Sequence, residues 1–178
     1  MLAYLVLDRP RWTEFDAHYF PDLDVPLARL SEPKNYRDDP ADPREVTVLC
    51  AEIPCTVGDE VWTATPEELG ARVADSLRRM GLPDATPAAV EVRRLPRVYP
   101  LYRPGFEWDL ATVELWLDEH PRVATLGRQG LFVPDNTHHA LAMGWAAADA
   151  TRPDPTDPWD VEAWAVSRER FRAHVVED

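Results

Sequence analysis

Four side chains in this sequence belong to the residue types that move protons in enzymes: Glu52, Tyr99, Tyr102 and His139. Such groups act as general acids or bases when their surroundings bring the pKa near the working pH. Glu52 stands in an otherwise apolar strand, where burial would raise its pKa. On an alternating strand it could equally point to solvent, and the tyrosines could be core aromatics beside a solvent-reaching Arg103. We treat the four as candidate catalytic groups.

A second polar group surrounds the start of a predicted helix. Asn136 or Thr137 can cap this helix, and His138 and His139 follow directly. The free N–H groups and the positive end of a helix stabilise negative charge. The alternative interpretation is a helix cap followed by two surface or interface histidines. A His-His pair without a nearby Cys or carboxylate cluster lacks the pattern of a metal site, so we expect no metal.

Charge and composition restrict the possible partners. The formal net charge of −13 disfavours nucleic acid and anionic membrane surfaces. The sequence has no run of about 20 apolar residues, and residues 1–8 lack the basic start of a signal peptide. Cys50 and Cys55 are too few for a secreted disulfide scaffold, so we expect two small buried hydrophobes in the cytoplasm.

Hydrophobic periodicity places these residues on a succession of strands and helices. The clearest helix lies between its cap Thr65 and its stop Gly81, with Pro66 and Glu68 completing the start signal. Other helices are predicted over 107–120, 136–150 and 160–174, and strands over 2–8, 28–35, 46–54, 90–95 and 123–126, with connections at 9–26 and 36–45. The predicted inner helix faces carry Leu69, Val73, Leu77 and Met80, then Leu110, Val113 and Leu117, then Val161, Trp164, Phe171 and Val175. This order predicts an α+β fold, a mixed β-sheet layered with helices.

Two stretches resemble a known family. Residues 127–144 read GRQGLFVPDNTHHALAMG, similar to the closing motif of amine-oxidase and protoporphyrinogen-oxidase-like FAD-dependent flavoproteins. Residues 97–106, RVYPLYRPGF, resemble that family's strand and turn bordering the active site, and 31–36 and 49–55 resemble its substrate-domain strands. The resemblance implies a helix whose N-terminus faces the flavin and a substrate cavity near Tyr99 and Tyr102. The cofactor-binding residues it implies are Gly127, Arg128, Asn136, Thr137, His138 and Gly144.

The resemblance covers the C-terminal, substrate- and flavin-facing part of the family only. Family members hold the ADP part of FAD with a Gly-x-Gly-x-x-Gly turn, and the seven glycines here never take that spacing. We therefore expect an incomplete FAD site within this chain. Residues 1–150 correspond to a substrate-domain-like α+β unit that includes a flavin-facing strand-turn-helix at 123–150. Residues 151–178 are predicted to form a linker and an amphipathic helix.

Three functions remain open. The first is part of an FAD-dependent oxidoreductase acting on a small molecule, completed by a separate Rossmann-domain protein. The second is a cofactor-free cyclase or isomerase using Tyr, His and Glu side chains. The third is a non-catalytic binding or assembly subunit whose apolar docking surface is covered by a partner or by a second copy.

Overall fold

The computed structural model describes residues 1–37, 39–120, 123–152, 154, 156 and 159–173. Internal contacts divide the chain into two compact units, Met1–Pro96 and Arg97–Asp178. The sequence analysis placed its division between residues 150 and 151, whereas the contacts divide the chain after Pro96. Each unit is described by itself below.

The first unit is built on an antiparallel five-stranded sheet with the strand order β2-β3-β4-β1-β5. The strands are β1 (Leu2–Leu7), β2 (Ala17–Tyr19), β3 (Arg29–Ser31), β4 (Thr47–Glu52) and β5 (Ala89–Arg93). Burial alternates along β1 and β4, so that residues such as Leu5 and Leu49 are buried while Tyr4 and Cys50 are only half-buried. One face of the sheet therefore carries the core.

Helix α2 (Pro66–Arg79) covers the core face of the sheet and follows the short helix α1 (Glu60–Thr63). The predicted capping box is confirmed, because Glu68 N–H donates to Thr65 Oγ1 and Thr65 N–H donates to the Glu68 carboxylate. The predicted inner-face residues Leu69, Val73 and Leu77 are fully buried. Met80 is exposed, so its prediction as an inner-face residue was wrong. It is the C-cap of α2 and lies beyond the last buried turn of the helix.

The strand predictions for 2–8, 28–35, 46–54 and 90–95 are confirmed with shorter bounds. Residues 33–35 form a 3₁₀ turn instead of continuing the second strand, and the predicted connection 9–26 contains the short β2. The strand predicted at 123–126 is absent, since these residues adopt no regular structure. A run of four small and apolar residues without a pairing partner does not make a strand.

The second unit is helical in its described part. Its helices are α3 (Phe106–Asp118), α4 (Gly127–Gly130), α5 (Thr137–Asp149) and α6 (Val161–Arg172). The packing of α5 against α6 buries two apolar clusters. The clusters comprise Leu131, Val133, Met143 and Phe171, and Ala147, Ala150 and Trp164.

The three longer helices confirm the predictions for 107–120, 136–150 and 160–174, but not all of their predicted inner faces. None of the residues of α3 is fully buried, and Val113 is exposed. Val161 is also exposed, and Val175 lies outside the described residues. Because α3 is apolar around much of its circumference, sequence periodicity could not single out one inner face.

The predicted α+β fold class is confirmed by this combination of a sheet and helices. Within the described residues, none of the helices has the length and apolar character needed to span a membrane.

Candidate functional site

The predicted cofactor residues lie on a compact segment that consists of α4, the turn that follows it and α5. Gly127 begins α4 with a φ of +78°, a backbone conformation that glycine adopts without steric cost. Its N–H points at the sulfur of Met143 on α5, 3.1 Å away. Leu131 and Val133 are buried against α5, so the turn is anchored on that helix.

Arg128, on α4, is held in place by Asp135 and Tyr99. Its Nε lies 3.2 Å from Asp135 Oδ1, and an Nη atom donates to the Asp135 backbone carbonyl. The guanidinium carbon lies 4.8 Å from the ring centroid of Tyr99, which is a cation–π distance. Asp135 is buried, and its second carboxylate oxygen has no hydrogen-bond partner among the described residues. Arg128 therefore neutralises a buried carboxylate while it stacks on an exposed tyrosine.

An aromatic cluster lies beside Arg128. The ring of Tyr102 meets those of Phe106 and Phe132 edge-on, with centroids 5.5 and 5.2 Å away. Phe132 has a φ of +54°, a left-handed conformation that costs a side-chain-bearing residue roughly 1–2 kcal/mol. Partial burial raises the pKa of the Tyr102 phenol, and the positive charge of Arg128 opposes this effect. Tyr102 is thus a neutral phenol near a fixed cation.

The N-terminus of α5 carries the remaining predicted residues. Asn136 caps the helix, and its backbone N–H donates to Nδ1 of His139 at 3.2 Å. The imidazoles of His138 and His139 lie against each other, with centroids 3.9 Å apart. Thr137 and His138 occupy the first turn, where backbone N–H groups have no intrahelical acceptor. His139 therefore supports the helix cap, and this contact favours a positioning role over the predicted catalytic one.

One side of α5 is open. A Cβ built at Gly144 would have no atom within 4 Å, and the neighbouring side chains of Leu141 and Trp145 are 61% and 76% exposed. On α3, Trp108 is 81% exposed and Leu115 is 70% exposed. Leu141 and Trp145 are one turn apart on the same face of α5, and we call these two side chains the apolar stripe. Large exposed apolar groups on a small unit indicate surfaces that normally contact something else.

Arg128 connects several of the predicted residues, because it lies against Tyr99, acts on Tyr102 and pairs with Asp135 directly before the α5 cap. Gly127 contacts Met143, the residue before Gly144. These residues fit the flavin that the family resemblance implies. A flat ring needs a stacking partner, which Tyr99 and Tyr102 offer, and the first turn of α5 offers free N–H donors. The space at Gly144 leaves room for a close approach to the helix. Thr137, His138 and Arg128 are the residues that would hold the group.

Glu52 belongs to the first unit and forms a different kind of site. It lies opposite Arg29 in the β3–β4 register, and Arg29 Nε donates to Glu52 Oε1 at 3.0 Å. The Glu52 side chain is 26% exposed on the outer face of the sheet. Of the two possibilities left open by the sequence, the structure has the second: residues alternate along β4, and Glu52 points away from the core. Its carboxylate is neutralised by an ion pair, which does not suit the predicted role of a buried general base.

Among the described residues of the first unit, Glu32 has a highly connected carboxylate. From the sequence, Glu32 could bind a polar substrate at a strand edge or belong to a salt-bridged rim. Its Oε1 accepts hydrogen bonds from Trp12 N–H and Thr47 Oγ1 at 2.8 and 2.7 Å, and its Oε2 accepts from Thr13 N–H and Asn35 Nδ2 at 3.1 and 3.2 Å. Glu32 is buried and joins three separate segments of the chain, which makes it a structural group. No local signal could reveal this role, because its donors are up to 20 residues away.

Asp135 and Phe132 were also missed. The only sequence signal for Asp135 was its position directly before the predicted cap Asn136, and nothing marked its pairing with Arg128. Among the described residues, there is no cluster of three or more His, Cys, Asp or Glu side chains that could hold a metal ion.

Comparison with known proteins adds no relative. The chain matches no family model, no curated protein and no solved structure.

Proposed function

We propose that this chain is the substrate- and flavin-facing part of an FAD-dependent oxidoreductase, with the dinucleotide-binding half supplied from outside these 178 residues. The observation that carries the proposal is that Arg128 contacts both Tyr99 and Asp135, the residue directly before the N-cap of α5. When bound, FAD supplies the hydride-accepting chemistry, and the protein orients it.

The first turn of α5 contributes fixed positive partial charge. A helix N-terminus is equivalent to roughly half an elementary charge, concentrated on its unsatisfied N–H groups. The N–H groups of Thr137 and His138 would donate to the ring edge or to a phosphate of the cofactor. These donors favour a reduced, negatively charged ring over the oxidised neutral one.

Arg128 and the tyrosines have complementary roles in the proposal. Because Arg128 is tied to Asp135 and Tyr99, it offers a cation whose position changes little when a ligand arrives. Tyr99 and Tyr102 are both partly exposed and can stack against a flat ligand, which would orient either the ring or a small substrate next to it.

The apolar stripe supports the requirement for a second component. Leu141 and Trp145 of the stripe are largely exposed, as are Trp108 and Leu115 on α3, and large exposed apolar side chains mark interaction surfaces. We assign this surface to the missing dinucleotide-binding half. Association of two copies of this chain through the stripe is the alternative arrangement, and a measurement of mass in solution with and without a partner distinguishes the two.

Riboflavin is the direct probe of the proposal, because it contains the ring but not the ADP part that this chain is not expected to hold. We expect the protein to quench riboflavin fluorescence on binding and expect ADP not to compete. Thr137→Pro should raise the dissociation constant about 2- to 10-fold, since it deletes one neutral donor while proline suits the first helical position. Val161→Pro, the same change at the first position of α6, is the matched control and should have no effect on binding.

Three outcomes would refute the proposal: no quenching by the wild-type protein, displacement of riboflavin by ADP, or equal effects of the two proline variants. Circular dichroism of both variants verifies that the helices remain folded.

A further inference from the structure

The second unit contains a cavity that the proposed flavin site does not use. It has a volume of about 140 Å³ and lies between the end of α3, residues 123–125 and α6. Its lining includes His120, Ala124, Trp159, Trp164, Ala165 and Arg168. An engineered apolar protein cavity of about 150 Å³ binds benzene, so a single six-membered ring is the appropriate ligand size.

The aromatic walls of the cavity are fixed by the fold. Trp164 is buried against Ala147 and Ala150 of α5. Trp159 pairs with Thr151 in an isolated β-bridge, and the next residue, Asp160, donates its N–H to the Ala150 carbonyl at 2.7 Å. The two indole rings are 5.9 Å apart at 58°. A flat ligand would therefore meet preformed aromatic surfaces.

Arg168 supplies a positive group to the lining and is only loosely paired with Asp118. Its side chain is only 18% exposed, and its Nε is buried without a hydrogen-bond partner among the described residues. Among the described residues, Asp118 is its ion-pair partner, with Oδ1 3.8 Å from an Nη atom, beyond hydrogen-bond distance, and Asp118 is itself largely exposed. The Nε atom has no accessible surface, so the terminal Nη groups are the donors that a ligand in the cavity would reach. A guanidinium in a cavity wall suits an acidic ligand group.

We propose that this cavity binds a small aromatic monocarboxylate, a single ring bearing one carboxylate, with the carboxylate on Arg168 and the ring against the indole surfaces that line the cavity. A guanidinium and a carboxylate match as a planar, charge-assisted pair. Free phosphate would leave the two tryptophan walls uncovered. Asp118 already offsets part of the guanidinium charge, so it would repel a ligand with two negative charges more strongly than a ligand with one carboxylate. The site is independent of the proposed flavin function.

Benzoate is the probe, and benzamide is its neutral analogue of the same shape. Titration of the full chain, followed by calorimetry and tryptophan fluorescence, should show one benzoate per chain. Benzamide should bind at least about tenfold more weakly, because it cannot form a charged pair with Arg168. Arg168→Leu should weaken benzoate binding about 10- to 100-fold, whereas Arg170→Leu, an exposed position on the same helix, should leave it unchanged.

A second variant keeps the proposal testable if Arg168→Leu alters folding. Ala165→Leu retains the guanidinium but adds side-chain volume to the cavity lining, and it should abolish benzoate binding without lowering the urea midpoint. Failure of wild-type protein to bind benzoate, equal affinity for benzamide, or unchanged binding by Ala165→Leu would each overturn the assignment.

Discussion

Replacing Glu32 by glutamine should destabilise the first unit, although the two side chains differ in only one non-hydrogen atom. The carboxylate accepts four hydrogen bonds, two at each oxygen. In glutamine an NH₂ group, which donates, replaces one of the two accepting oxygens. If the NH₂ group takes the position of Oε1, the Thr47 hydroxyl can rotate and accept from it, but Trp12 N–H loses its acceptor. In the opposite orientation Thr13 N–H loses its acceptor.

Either orientation therefore leaves one backbone N–H unpaired, which costs about 1–3 kcal/mol when the group is buried. The surviving bonds also lose their charge assistance. The lower cost of burying a neutral amide offsets part of this loss. We expect a net decrease of about 2–4 kcal/mol in the free energy of unfolding.

Amide hydrogen exchange of β1 and β4 is the suitable assay, because it reports the opening free energy of the first unit alone. The matched control is Glu14→Gln, which removes the same charge from an exposed position and should change protection by less than about 0.5 kcal/mol. A loss in Glu32→Gln no larger than that in the control would refute the assignment of Glu32 as the structural centre of this unit.

Three further predictions follow from single contacts. Gly70→Ala should lower stability although alanine has the better helix propensity, because the new Cβ would lie 2.6 Å from a methyl group of Val90. Gly144→Ala is the control, since its Cβ would meet open space, and it should stabilise α5 by about 0.5–1 kcal/mol in thermal unfolding. The hydrogen bond from Thr65 N–H lowers the pKa of the Glu68 carboxyl group. The ionised carboxylate therefore stabilises the folded state above about pH 4.3, and this stabilisation is lost as the pH falls through the lower pKa of the folded state. Glu68→Gln should weaken this loss of stability at acid pH in pH-dependent denaturation. Burial raises the pKa of the Cys50 thiol, so in a Cys55→Ala variant it should react with a disulfide reagent more slowly than free cysteine at pH 8, and equal rates would contradict this.

Local signals predicted most of the secondary structure, and their limits have physical causes. The cap of α2 was readable because Thr65, Pro66 and Glu68 act within one turn. The strand expected at 123–126 was wrong because four residues cannot specify pairing without a partner strand. The inner face of α3 could not be predicted because apolar residues occur around most of that helix. The ordinary pattern of a surface helix would not place an exposed tryptophan such as Trp108 on it.

The residues of the candidate site stay a prediction, and their contacts could not be predicted from the sequence. The resemblance assigned Arg128 and Asn136 to the cofactor and Tyr99 to the substrate cavity. In the structure Arg128 contacts Tyr99 and pairs with Asp135, which precedes Asn136. The pairing of Arg128 with Asp135 depends on the path of the backbone through Phe132, whose left-handed conformation no sequence rule indicates. Glu52 was assigned from its apolar neighbours, yet strand alternation turned it to the outer face.

The midpoint potential of riboflavin bound to this protein tests the central claim most directly. If the N-terminus of α5 faces the ring, the reduced and negatively charged form binds more tightly, and the potential rises by about 30 mV for each tenfold preference. We predict an upward shift relative to free riboflavin that is diminished in Thr137→Pro. An unchanged or lowered potential, or a shift that survives Thr137→Pro intact, would contradict the claim that this helix faces a flavin.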